Sequence, residues 1–179
     1  MWTILAIIIV VIIILYLSPL AFGGTPFEPT PKRSVERILE MSDIDEKDVV
    51  YDLGCGSGRI LTEAAKKNDA KAVGIEVNPF LYLLAKLKIK ISGLSEKAEV
   101  KFGDFYKFDL KNASLIVIFQ SKDANKKLIE KLKDEFEGET KIATYYWPIL
   151  GMTPEKTDSQ NKVFLYNFSQ ESGKDTETP

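Results

Sequence analysis

The residues able to do chemistry concentrate in "YDLGCGSGRI", Tyr51–Ile60, and in two later acids, Glu76 in "GIEVNP" and Asp104 in "FGDF". Gly54, Gly56 and Gly58 lack a Cβ, so the backbone there can approach a bound molecule closely. A glycine loop between a strand and a helix cradles a cofactor, and its spacing narrows the choice. The dinucleotide fingerprint G-x-G-x-x-G needs its third glycine at position 59, which is Arg59. The phosphate-binding G-x-x-x-x-G-K-[ST] pattern is absent. A nucleophile elbow, G-x-S-x-G, fails because Ser57 has Cys55 two residues before it. The chain has one cysteine and no histidine. That excludes an internal disulfide, a Ser-His or Cys-His pair and a zinc site built on Cys and His. No metal is expected. Chemistry must rest on carboxylates, hydroxyls, amides, aromatics or a cofactor, and Cys55 reads as a small residue fitting a tight loop.

Alternating elements position these residues. "SVERILEM" has Val35, Ile38 and Leu39 at helical spacing. "DVVYDLG" is a β-branched strand, "RILTEAAKK" a helix and "KAVGIEV" a second strand. Pro79 opens the helix "PFLYLLAKLKIKI", since proline is tolerated in a first turn. "AEVKFGD" and "ASLIVIF" are further strands, "DANKKLIEKLKDEF" is a helix with a capping residue at its start and Gly138 after its end, and "TKIATYYW" and "KVFLYNF" are the last strands. Apolar strands alternating with amphipathic helices predict an α/β fold, a parallel sheet covered on both faces. Its ligand would sit at the carboxyl ends of the strands, where the glycine loop lies.

Outside this body, residues 1–22, "MWTILAIIIVVIIILYLSPLAF", carry no charged side chain. As a helix they would span about 33 Å, enough for a bilayer core. A cleaved signal would need a basic start and a small-residue cleavage site, which "YLSP" does not supply. The expectation is a retained transmembrane helix. Lys32 and Arg33 follow the span, so the positive-inside bias puts the body in the cytoplasm of a single-pass membrane protein. Residues 23–31, "GGTPFEPTP", form an extended connector. The body covers 32–168, and the tail 169–179, without apolar anchors, is expected to be disordered.

"DLGCGSG", an acid ending the next strand and the "FGDF" acid together resemble the cofactor loop of class I S-adenosylmethionine-dependent methyltransferases. The resemblance implies a Rossmann-like sheet with helices on both faces and S-adenosyl-L-methionine as cofactor. Its site would comprise Thr30, Asp52, Leu53, Gly54, Cys55, Gly56, Gly58, Glu76, Val77, Asn78, Asp104 and Phe105. Glu76 would accept the ribose hydroxyls, Asp104 the adenine amino group, and Asp52 would organise the ammonium side through water. The cofactor has no phosphates, and its methionine carboxylate suits the helix N-terminus after the loop.

A narrower resemblance runs from "PFEPTPKRSVERILEM" through "IFQSKDANKKLIEKLKDEF" to "TKIATYYWP". It is to the small archaeal and mitochondrial protein-lysine methyltransferases, the family of the ATP synthase c-subunit and adenine nucleotide translocase enzymes. It implies a protein substrate, here membrane-associated, and a connector that closes over the cofactor through Phe27, Pro29 and Thr30. Tyr145, Tyr146 and Trp147 stand where archaeal members tend to carry a charged or His-containing segment.

The [DNS]-P-P-[YF] motif of enzymes acting on planar nitrogens is absent after the fourth strand, where "IFQSK" stands. Phe119, Tyr146 and Trp147 are candidate walls of an acceptor channel, since aromatic faces hold ammonium groups. Packing at a strand end is their alternative role. With 24 basic and 26 acidic side chains, net −2, the chain lacks the basic excess of a nucleic-acid binder. Lys86, Lys88 and Lys90 read as a solvated helix face. A lipid or quinone methyltransferase and a non-catalytic cofactor-binding membrane scaffold are the other readings.

Overall fold

The computed structural model describes residues 2–7, 9–10 and 28–169. In chain order these form α1 (Lys32–Ser42), β1 (Val49–Leu53), α2 (Arg59–Lys67), β2 (Lys71–Glu76), α3 (Pro79–Ile91), β3 (Ala98–Phe102), β4 (Leu115–Ile118), α4 (Lys122–Glu135), β5 (Glu139–Tyr145), β6 (Lys156–Asp158) and β7 (Val163–Ser169). The strands make one seven-stranded sheet in the order β3-β2-β1-β4-β5-β7-β6.

β1 lies between β2 and β4 and pairs parallel to both. Val50, Leu53, Leu115, Ile116, Val117 and Ile118 are all buried, as expected of strands with helices on both faces. One apolar layer packs α1 and α2 against the sheet, through Val35, Ile38, Leu61 and Ala64. The other packs Leu128, Ile129 and Leu132 of α4 against Leu53, Ile116 and Ile118. Every predicted helix and strand of the body is present.

The expectation of a wholly parallel sheet is corrected at one edge. β7 runs antiparallel to β5, and β6, which sequence reading missed, pairs antiparallel to β7. A parallel return needs a crossover of a dozen or more residues, usually helical. The segment after Tyr145 instead holds "PILGMTPE", where proline and glycine prevent a helix, and then turns back as a hairpin. The hairpin is pinned by Asp158, whose carboxylate accepts from Asn161 N and Nδ2, both at 3.0 Å. Arg37 Nε donates to the same carboxylate at 2.7 Å and ties α1 to the hairpin.

Two boundaries move slightly. Ser169 ends β7 rather than opening the tail, and the cap of α4 is Ser121, whose side chain accepts from Ala124 N. Residues 2–7 and 9–10 are helical, and those whose side chains are described are exposed. Among the described residues no helix is long and apolar enough to cross a membrane. Most of the predicted span, most of the connector and the tail beyond Ser169 lie outside the described residues.

Candidate active site

β1 and β4 mark the point where strand order reverses, and the glycine loop leaves the carboxyl end of β1 there. Gly54, Gly56 and Gly58 have φ of 81°, 53° and 73°, the left-handed region that side chains resist. A Cβ on Gly54 would lie 2.6 Å from Gln120 Nε2. The loop is stitched to β2: Gly54 N and Cys55 N donate to Ile75 O at 2.9 and 3.2 Å. Glu76 completes the stitch. Its Oε2 accepts from Gly56 N and its Oε1 from Asn78 N, both at 2.8 Å.

Burial pushes the Glu76 carboxyl pKa upward, and the backbone N–H groups of Asn78, Gly56 and Val77 oppose that shift. Asp52, at the end of β1, is 5% exposed. Burial and then the nearby Glu76 charge push its pKa up to about 8. Two carboxyls thus share one buried site, and near neutral pH Asp52 holds a proton. Cys55 is buried, and burial, Asp52 and Glu76 push its thiol pKa well up, so it is not a thiolate nucleophile. Its place is structural. A Cβ on Gly74 of β2 would lie 2.6 Å from Cys55 Sγ and from Leu61 Cδ1, so loop, strand and helix meet where only glycine fits.

A cleft of about 1280 Å³ opens over this loop. Of the predicted cofactor residues, Thr30, Asp52, Gly54, Cys55, Gly56, Glu76, Val77, Asp104 and Phe105 line it. Leu53, Gly58 and Asn78 do not. Leu53 is buried in the sheet core, Gly58 caps α2, and Asn78 caps α3 by accepting from Phe80 N and Leu81 N. Asp104 serves two ends: it accepts from Tyr106 N at 3.1 Å, capping a short 3-10 turn, and borders the cleft. Arg59 Nη1 donates to Thr30 O at 2.6 Å, holding the connector's last residues over the loop, and Glu28 and Pro29 also line the cleft. Phe27 lies outside the described residues.

Sequence reading missed Gln120 and Tyr145 as cleft residues. Gln120 lies two residues past the end of β4, at the switch point, a position that could have flagged it. Tyr145 offered no such signal, because strand-end aromatics also fill cores.

On the acceptor side, Phe119, Tyr145, Tyr146 and Trp147 form a continuous aromatic wall. Successive ring centroids lie 4.7, 6.2 and 4.8 Å apart, each pair edge-on. A strained turn sets its direction. Trp147 N donates to Tyr145 O at 2.9 Å across Tyr146, whose φ is 70°, which is the rarer, strained form of γ-turn. Tyr146 and Trp147 are 42% and 38% exposed, so they belong to the cleft mouth rather than the core. Two of the chain's own ammonium groups already sit on them: Lys162 Nζ is 4.2 Å from the Tyr146 ring and Lys122 Nζ 5.1 Å from the Trp147 ring.

The donor set fits S-adenosylmethionine. Glu76 suits a ribose diol, the protonatable Asp52 an ammonium, the border carboxylate Asp104 an amino group, and the glycine cradle a close backbone approach. When bound, the cofactor supplies a methyl group already activated on a sulfonium.

Comparison with known proteins agrees. A family model described as the ANTKMT methyltransferase domain matches residues 52–156. A protein-lysine N-methyltransferase from Saccharolobus islandicus is 34% identical over 148 residues, 79% of this chain and 92% of that protein. The ATP synthase c-subunit lysine N-methyltransferase of Mus musculus is 28% identical over 151 residues, 83% of this chain and 60% of that protein. Among solved structures, an RNA methyltransferase from Salinibacter ruber in complex with S-adenosyl-L-homocysteine superposes with TM-score 0.77 at 31% identity, covering 85% of this chain and 97% of that one. With the cradle, the paired carboxyls and these matches in agreement, the chain belongs to the ANTKMT methyltransferase-domain family and is an S-adenosylmethionine-dependent methyltransferase.

Proposed function

We propose that the enzyme methylates a lysine ε-amine of a protein at or in the membrane, with its body on the cytoplasmic face. The observation that carries this is the aromatic mouth. Tyr146 and Trp147 present faces on which Lys162 and Lys122 place ammonium groups. An incoming lysine finds the same chemistry there, followed by Phe119 and Tyr145 deeper in the cleft. The Saccharolobus relative, matched over 92% of its length, supports the lysine reading.

A lysine must shed a proton before it can attack, and its ordinary pKa is about 10.4. Removal from water beside a sulfonium lowers that value. With no histidine in the chain, the proton passes to water or a carboxylate. Glu28 borders the cleft close to Tyr145; burial first, then the Glu28 charge, raises the tyrosine pKa. The uncharged residues 1–22 support membrane attachment, and Lys32 and Arg33 after them support the orientation. Attachment raises the local concentration of membrane-bound substrates without any new contact.

An RNA acceptor is the second reading, favoured by the Salinibacter neighbour. The net charge of −2 opposes it. The test incubates the full chain with methyl-labelled cofactor and a membrane extract. Label on protein lysines, at a rate rising with pH as the acceptor deprotonates, is the expected result. Label confined to RNA or to the organic-solvent fraction refutes the lysine assignment.

A further inference from the structure

Helix α3 turns a large apolar face to water. Leu81, Ala85 and Ile89 point inward. On the opposite side Phe80, Leu83, Leu84, Leu87 and Ile91 are 42%, 60%, 38%, 53% and 75% exposed. At 3.6 residues per turn these five fall within an arc of about 100°. Contiguous exposure on this scale marks a contact surface, whereas apolar side chains scattered singly do not.

The helix's own charge favours an anionic partner. "PFLYLLAKLKIKI" holds three lysines and no acid. By the same helical spacing Lys86 and Lys90 border one flank of the arc and Lys88 the other. None of the three is in a salt bridge among the described residues. A second copy docking through this face would bring two such lysine sets together with no acid of the helix to offset them. The chain's own N-terminal helix does not cover it in its described part, whose side chains are themselves exposed. An apolar centre with basic flanks suits an anionic bilayer surface: the leucines enter the headgroup boundary while the lysine stems extend to the phosphates.

We propose that α3 is an interfacial docking helix that seats the enzyme on anionic lipid. α3 starts at Pro79, three residues after Glu76, and its Leu81 lines the cofactor cleft. Docking therefore holds the cofactor end of the cleft close to the membrane surface. The face is independent of the N-terminal segment and of the identity of the methyl acceptor.

The test uses the full chain with a nitroxide label at Leu87→Cys; the native Cys55 is buried and stays unlabelled. A label at Ile4→Cys reports the N-terminal segment separately, and one at the exposed Lys126→Cys of α4 serves as control. Vesicles are pure phosphatidylcholine or phosphatidylcholine with phosphatidylglycerol. The expected result is that the label at 87 moves from water into lipid only on the anionic vesicles, while the label at 126 stays in water. Lys86→Gln with Lys90→Gln should lower the docked-to-undocked ratio roughly thirtyfold, at ~1 kcal/mol per basic side chain near an anionic surface. A label at 87 that remains in water on both compositions overturns the proposal. So does burial that needs no lipid, which would mark the chain's own N-terminal segment, or burial with spin–spin coupling between chains, which would mark a second copy.

Discussion

Asp52 and Glu76 are neighbouring carboxyls held in different ways. Glu76 is gripped by the N–H groups of Gly56 and Asn78, while Asp52 is pushed up to about 8 by burial and by Glu76. If Asp52 serves the cofactor ammonium it does so ionised, and binding below that value then expels the Asp52 proton. Cofactor affinity should therefore climb by up to about tenfold per pH unit below pH 8 and level off above it. Calorimetry in buffers of different ionisation heat should detect the released proton, and Asp52→Asn should abolish both effects. A pH-independent affinity in the wild type would remove Asp52 from the ammonium side. Glu76→Ala removes the charged acceptor of the Gly56, Val77 and Asn78 N–H groups. It should weaken cofactor binding by about 1.5–3 kcal/mol, roughly 10- to 150-fold, by titration calorimetry.

At the scale of elements, the loop geometry depends on the close approach of β1, β2 and α2. Gly74 is where they touch: an added Cβ would stand 2.6 Å from Cys55 Sγ and 2.9 Å from Cys55 Cβ. Gly74→Ala should cost about 1–3 kcal/mol in chemical denaturation, the ordinary cost of overpacking. Removing the sulfur with Cys55→Ala should recover part of that loss, because contacting sites couple. Equal costs in both backgrounds would show that Leu61, 2.6 Å away on the other side, carries the whole clash. The γ-turn at Tyr146 is the matching device on the acceptor side. It keeps an aromatic at positive φ, a strain of the kind found where side chains are aimed at a ligand.

For the whole molecule, the sheet supplies the cofactor site and the β6–β7 hairpin closes the body, with the segment between β5 and β6 carrying part of the cleft mouth. Membrane attachment through residues 1–22 would place this body on one side of a bilayer. Protease added outside intact cells should leave residues 28–169 uncut, and detergent should expose them. Digestion without detergent would reverse the orientation.

The cofactor half of the site was legible in the sequence because its signals are local. A G-x-G-x-G loop needs positive φ at those positions, and Glu76 and Asp104 follow apolar runs that already mark strands. Strand and helix content was legible for the same reason, since burial on both faces and on one face leave different periodicities. The antiparallel edge was not, because β7 reads as apolar in either direction and only the short, helix-free return fixes its sense. Nor could periodicity separate Leu53 and Asn78, which sit behind the site, from Asp52 and Val77, which border it. Adjacent residues in a strand or turn point to opposite sides, and which side faces the cleft is decided by the neighbouring strands and helices. The lysines of α3 likewise read as an ordinary solvated face, until packing put Leu81, Ala85 and Ile89 inward and left five large apolar side chains between them.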